Sequence, residues 1–195
     1  MILSVSRRTD IPNYYSEWFF NRIKEGFVYV RNPMNAHRVS KIDITPEVVD
    51  CIVFWTKNPE PMINRLDELA AYDYYFQFTL TGYGKEMECN VPHKKEKMIP
   101  IFQELSKRIG KQKVIWRYDP RVECGCMESV EIGTYNTCKN RCKYCYANDS
   151  EESVVKNCDK YDPESPILCG TLNENDKITE RKVKSLKEQQ ISIFD

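Results

Sequence analysis

Residues 50–60, DCIVFWTKNPE, decide the fold. From Cys51 to Trp55 no polar residue interrupts the run, which is the pattern of a strand buried on both faces in a parallel sheet. Asn58-Pro59-Glu60 then supplies a helix start: Asn caps backbone N–H groups, Pro is pre-set for a first turn, and Glu complements the helix dipole. Met62, Ile63, Leu66 and Leu69 continue at the spacing of one apolar helix face. A strand that passes through a short polar tip into a helix is the repeating unit of parallel β/α folds, because parallel neighbours need a crossover.

The same alternation extends in both directions. Toward the N-terminus, ILSVS (2–6) reads as a short strand and YYSEWFFNRIKEG (14–26) as a helix with Trp18, Phe19, Arg22 and Ile23 on one face and Gly26 as its stop. GFVYVRNP (26–33) and RVSKIDI (38–44) read as strands pairing back in a hairpin, and Thr45-Pro46-Glu47 is a helix-start signal. Toward the C-terminus, YYFQFTLTGYG (74–84) is an aromatic-rich strand. A helix is predicted from about Lys95 to Ile109, with Phe102, Leu105 and Ile109 on one side, Pro100 near its start and Gly110 as its end. KVIWRYDP (113–120) is a further strand.

The predicted class is therefore α/β: a partial (β/α) barrel-like parallel sheet over 1–120 and an irregular C-terminal cysteine-rich cluster segment over 121–170. A charged helix and apolar tail follow over 171–195. In β/α folds the C-terminal ends of the strands carry the active site. Here those ends hold Arg7, Arg8 and Asp10, then Lys57, then Arg117 and Asp119, which are the candidate catalytic residues. Arginines at such tips suit phosphate or carboxylate groups, so a nucleotide-like or nucleic-acid substrate fits them as an unknown small molecule does.

Lys plus Arg and Asp plus Glu total 29 each, so no global field draws the chain to nucleic acid or a membrane. MILSVSRRTDIP becomes charged too early for a signal peptide, and no run approaches the roughly 20 apolar residues of a bilayer span. The expectation is a cytoplasmic protein without membrane contact. Nine cysteines in that compartment favour metal ligation or redox chemistry over disulfides. His37 and His93 lie in polar surroundings, and P-loop, nucleophile-elbow and dinucleotide glycine patterns are absent from the sequence.

Cys138, Cys142 and Cys145 form Cys-x3-Cys-x2-Cys within TCKNRCKYCYAN (137–148), with Tyr144 before the last thiol. Four thiolates normally hold a cubane iron–sulfur cluster, so a three-cysteine loop leaves one iron open. Zinc remains the alternative metal, with Cys124, Cys126, Cys158 or Cys169 completing a tetrahedron. The trio with its aromatic resembles the cluster loop of the radical S-adenosylmethionine enzymes. The resemblance implies a [4Fe-4S] cluster held by Cys138, Cys142 and Cys145, S-adenosylmethionine chelated at the open iron, Tyr144 near the adenine, and hydrogen abstraction by a 5′-deoxyadenosyl radical. TGYG (81–84) is a candidate for a glycine-rich cofactor contact, or a plain turn.

More widely, SVSRRTDIP, VRNPMN, DCIVFWTKNP, FQFTLTGYG, VIWRYDP and IGTYNTCKNRCKYCYAN resemble the family defined as domain of unknown function 1848. That family implies further strand and helix segments after WRYDP, whereas here Pro120 runs almost directly into VECGC. A closed eight-stranded barrel takes at least about 200 residues, so this chain builds part of one. The tail QQISIFD is similar to the peptides that bind the replication sliding clamp, with Gln190, Ile191, Ile193 and Phe194 as anchors. Two functions follow: a radical S-adenosylmethionine enzyme, or a non-catalytic zinc or iron–sulfur module tethered to the clamp.

Overall fold

A computed structural model describes residues 1–118 and 128–187. The expected α/β architecture is present. A first strand, β1 (Ile2–Val5), leads into two short helices, α1 (Ile11–Tyr14) and α2 (Ser16–Glu25). An antiparallel hairpin of β2 (Phe27–Asn32) and β3 (Asn35–Asp43) follows. The 50–60 stretch then gives β4 (Cys51–Thr56) and α3 (Glu60–Ile63). After these come β5 (Tyr74–Thr79), α4 (Ile99–Ile109), β6 (Val114–Arg117), β7 (Ser129–Glu131), α5 (Glu151–Cys158) and β8 (Lys177–Glu180).

Five strands form one parallel sheet in the order β6-β5-β4-β1-β7. Its register aligns Val5, Phe54 and Phe76 across three strands, so all tips point the same way. Alternation sends Phe54 and Phe76 to the helical side. There Phe54 stacks on Phe76 at 4.7 Å and meets Phe19 of α2 edge-on at 5.3 Å, while Phe78 meets Phe102 of α4 at 5.4 Å. Leu3, Phe19, Phe54, Phe76 and Leu105 are fully buried. A smaller sheet, β2-β3-β8, lies outside this one.

Several local expectations change. The helix expected over 14–26 breaks at Tyr15, whose ring is fully buried and whose hydroxyl bonds the Thr137 carbonyl at 2.6 Å. Its end is as expected: Gly26 adopts φ +76°, where a Cβ would also press on Thr45. Thr45-Pro46-Glu47 forms only a turn, with Val48 and Val49 N–H groups bonding the Thr45 carbonyl. The helix after Asn58 shrinks to four residues and a 3-10 turn over Leu66–Leu69. The helix ending at Ile109 starts with a π-turn over Lys94–Met98, immediately before Pro100, which has no N–H to give.

The cysteine-rich segment is less irregular than its composition suggests, for it contains β7 and α5. Where a charged helix was expected after 171, Lys177–Glu180 instead form β8, parallel to β3. All four β8 residues are exposed, so backbone pairing rather than apolar burial holds them. No helix among the described residues is long and apolar enough to cross a membrane.

Candidate functional site

The strand tips converge on one cavity of about 330 Å³, which falls within the roughly 300–1,000 Å³ of small-molecule pockets. Arg7, Arg8 and Asp10 reach it after β1, Lys57 after β4, and Arg117 at the end of β6. Cys138, Cys142, Tyr144 and Cys145 line the same cavity, where Lys57 Nζ also bonds the Tyr144 hydroxyl at 3.0 Å. Sequence reasoning thus named residues that the fold brings together. Asp119, Cys124, Cys126, Gln190, Ile191, Ile193 and Phe194 lie outside the described residues.

Asp10 organises the floor. It caps α1 by accepting from the Asn13 N–H at 3.2 Å. The same carboxylate accepts from the Thr56 hydroxyl at 2.6 Å, the Lys57 N–H at 2.8 Å and the Asn140 amide at 3.0 Å. Burial raises its pKa, against the pull of these four donors. Asn140, inside the cysteine loop, also accepts from the Tyr14 hydroxyl at 2.9 Å. One carboxylate therefore joins β1, β4 and the loop.

A second buried carboxylate, Glu88, holds the other end of the loop. It bonds Lys57 Nζ at 2.7 Å, Lys94 Nζ at 2.6 Å, the Thr81 hydroxyl at 3.0 Å and the Tyr144 hydroxyl. Its backbone bridges Cys142, and the Lys143 N–H bonds the Met87 carbonyl at 2.9 Å. Burial pushes the Glu88 pKa up, but the Lys57 hydrogen bond and charge, with Lys94 and Tyr144, outweigh it and bring the group to about 2. Tyr144 is raised by burial and by Glu88, and its ring packs 5.2 Å from Tyr83. TGYG does not line the cavity; Thr81 serves Glu88 instead.

The cysteine loop closes on itself, with Asn136 N–H bonding the Ala147 carbonyl at 2.8 Å and the Asn148 amide bonding the Cys138 carbonyl at 2.7 Å. Arg141, between Cys138 and Cys142, turns the chain at φ +53°. Burial, with the Asp10 charge, pushes the Cys138 thiol up to about 12, against the opposing polarity of the Asn140 and Asp10 backbone. Burial likewise takes Cys142 to about 11, against the nearby Lys57 charge. Metal ligation overrides such shifts by deprotonating the thiol outright.

Does this donor set fit a cluster? Three thiols without disulfide partners line one cavity, the donor type that holds iron–sulfur clusters. Among the described residues no three His, Cys, Asp or Glu side chains stand close enough to hold a single ion. A cubane is wider, because each thiolate takes a different iron. Cys158 and Cys169 do not line this cavity; both flank the Tyr15 hydroxyl, with Cys158 at 3.2 Å. Cys51 is half-buried at the start of β4.

Sequence reasoning missed Glu88, Glu131, Asn140, Thr9 and Trp55. Glu131 of β7 accepts from Ser4 at 3.0 Å, from Ser6, and from the Arg7 and Gly133 N–H groups at 3.0 and 2.8 Å. A Cβ at Gly133 would collide with Ser6, so glycine permits this close approach.

A family model described as a domain of unknown function (DUF1848) matches residues 2–122 and 120–147. No curated protein and no solved structure matches.

Proposed function

The chain belongs to the DUF1848 family, and from that premise we propose that it is an iron–sulfur protein of radical S-adenosylmethionine type, with Cys138, Cys142 and Cys145 as ligands of a [4Fe-4S] cluster. The observation that carries this reading is that these three cysteines, and no fourth among the described residues, line the cavity at the strand tips. Such a cluster with an open iron would supply reductive cleavage of bound S-adenosylmethionine, and so hydrogen abstraction from a substrate.

The chain's own residues prepare that site. Asp10 and Asn140 fix the Cys138 end of the loop through the 3.0 Å bond between them. Glu88 with Lys57 fixes the Cys142 end and holds Tyr144, which lines the cavity and in this reading would meet the adenine. The family match divides at 120–122, between β6 and β7, and β7 pairs with β1 rather than β6. Both facts support a chain that keeps the first four strands and the last of a longer series without its middle segment.

Anaerobic reconstitution followed by reduction with S-adenosylmethionine tests the reading. The expected result is about four iron and four sulfide per chain and release of 5′-deoxyadenosine, both abolished by Cys142→Ser. Colourless protein with stoichiometric zinc, or bound iron without cofactor cleavage, rejects it.

A further inference from the structure

Among the described residues three aromatic side chains, Trp55, Tyr144 and Tyr146, line the cavity. Two of their rings are engaged. The Arg7 and Arg117 guanidinium groups lie over the Trp55 ring, at 5.9 and 4.8 Å from its centroid. The Tyr144 ring packs 5.2 Å from Tyr83, with Lys57 Nζ over it at 5.6 Å and its hydroxyl bonded to Glu88. Among the described residues the Tyr146 ring has neither another ring nor a cation against it.

That ring is nonetheless held at both ends. Its hydroxyl donates to the Arg7 carbonyl at 2.9 Å, which ties it to the chain leaving β1. Its backbone is fixed by the next residue, because Ala147 is buried and the Ala147 carbonyl accepts from the Asn136 N–H at 2.8 Å. Yet Tyr146 is 70% exposed. A ring that buries so little adds little to the core, whereas a pinned ring with an open surface binds a partner without first losing rotamer freedom. Tyr146 also follows Cys145 directly, so a group stacked on it lies beside the cysteine loop.

We propose that Tyr146 is a stacking platform for a planar heteroaromatic ring on the substrate, of the kind a nucleobase supplies. The proposal rests on reading the cavity as the site of S-adenosylmethionine chemistry, in which Tyr144 takes the adenine and Tyr146, on the other side of Cys145 in the chain, is left for the substrate. Donating its proton toward the Arg7 carbonyl makes the phenol ring richer in electrons. An electron-rich face favours an electron-poor partner, and ring nitrogens and carbonyls make a heteroaromatic ring such a partner. A saturated ring of the same outline offers no matching face.

Calorimetric titration of the reconstituted full chain in the presence of S-adenosylmethionine compares uridine with dihydrouridine, which keeps every polar group but loses the planar ring. The expected result is uridine binding about fivefold tighter or more, a preference that Tyr146→Leu removes while leaving dihydrouridine nearly unchanged. Tyr146→Phe, which keeps the ring but loses its pin, should fall between. Equal binding of the two probes, no binding of either at millimolar concentration, or a preference that survives Tyr146→Leu overturns the platform. So does a matching loss of S-adenosylmethionine affinity in Tyr146→Leu, which would assign the ring to the cofactor. The comparison on unsubstituted protein holds even where a variant fails to fold. A short oligouridylate titrated alongside separates the two sources of such a ring: affinity equal to uridine favours a free nucleoside, and much tighter binding a strand. The same preparation is assayed for cofactor cleavage. Cleavage without ring preference rejects the platform alone, whereas ring preference without cleavage rejects the radical reading and leaves the platform standing.

Discussion

The strand tips carrying Arg7, Lys57 and Arg117 and the loop carrying Cys138, Cys142 and Cys145 line one cavity as two walls, yet different forces hold them. Behind the strand tips stand Phe19, Phe54 and Phe76, fully buried and in ring contact. Apolar burial of this kind is non-directional, and any well-filled core supports it. The loop packs little apolar surface. Directional polar bonds from distant chain hold it instead: Asp10, Tyr14 and Asn13 to Asn140, Asn90 to the Lys139 carbonyl, and Glu88 to Tyr144. The strand-tip wall is thus set by the core, while the sulfur wall, the loop of Cys138, Cys142 and Cys145, depends on two buried carboxylates and, in the proposed function, on the metal that its thiols bind.

The largest expected effect comes from breaking the first wall. Phe54→Ala removes a fully buried ring stacked on Phe76, and denaturant unfolding should show a loss of about 3–5 kcal/mol. Both walls would go together, because the core positions the strands that carry Asp10 and Lys57. A loss below about 1 kcal/mol would contradict the account of the sheet wall.

A smaller effect separates the walls. Glu88→Gln leaves Lys57 and Lys94 without their carboxylate and should cost about 2–3 kcal/mol near neutral pH, with looser binding of the 138–145 loop. The sign is fixed by the lowered pKa: the folded-state carboxylate titrates at about 2 instead of 4.5. Its contribution is therefore present in full above pH 4.5 and lost as pH falls through about 2. Wild type and variant should differ in stability at pH 6 and converge toward pH 2, read by thermal unfolding across that range. Parallel curves would show that Glu88 does not hold the loop by charge.

The same division explains what was legible in the sequence. β4 could be read from the unbroken apolar run Cys51–Trp55 and β5 from its aromatic density, and the tip of β4 followed with Lys57. The cysteine trio could be read because ligand spacing is local. β7 could not, since three residues with only Val130 buried give no period. β8 exposes every residue, so its pairing with β3 leaves no pattern. Glu88 and Asn140 were hidden for another reason: the partners that tie them into the site, Lys57 and Tyr144 for Glu88 and Asp10 for Asn140, lie 31 to 130 positions away, and nothing in KEMEC or CKNRC records a contact at that range. Asp10, legible as a candidate from its place at a strand tip, lines the cavity while accepting from four donors, a network that its position in the sequence did not record.

In the proposed function, Cys138, Cys142 and Cys145 offer three thiolates and leave one iron open. Electron paramagnetic resonance of the anaerobically reduced protein, recorded with and without S-adenosylmethionine, tests it most directly. A cubane signal that shifts on adding the cofactor, and that is lost in Cys138→Ser, is the predicted result. A signal unchanged by the cofactor, with a fourth protein thiolate found on the cluster, would contradict it.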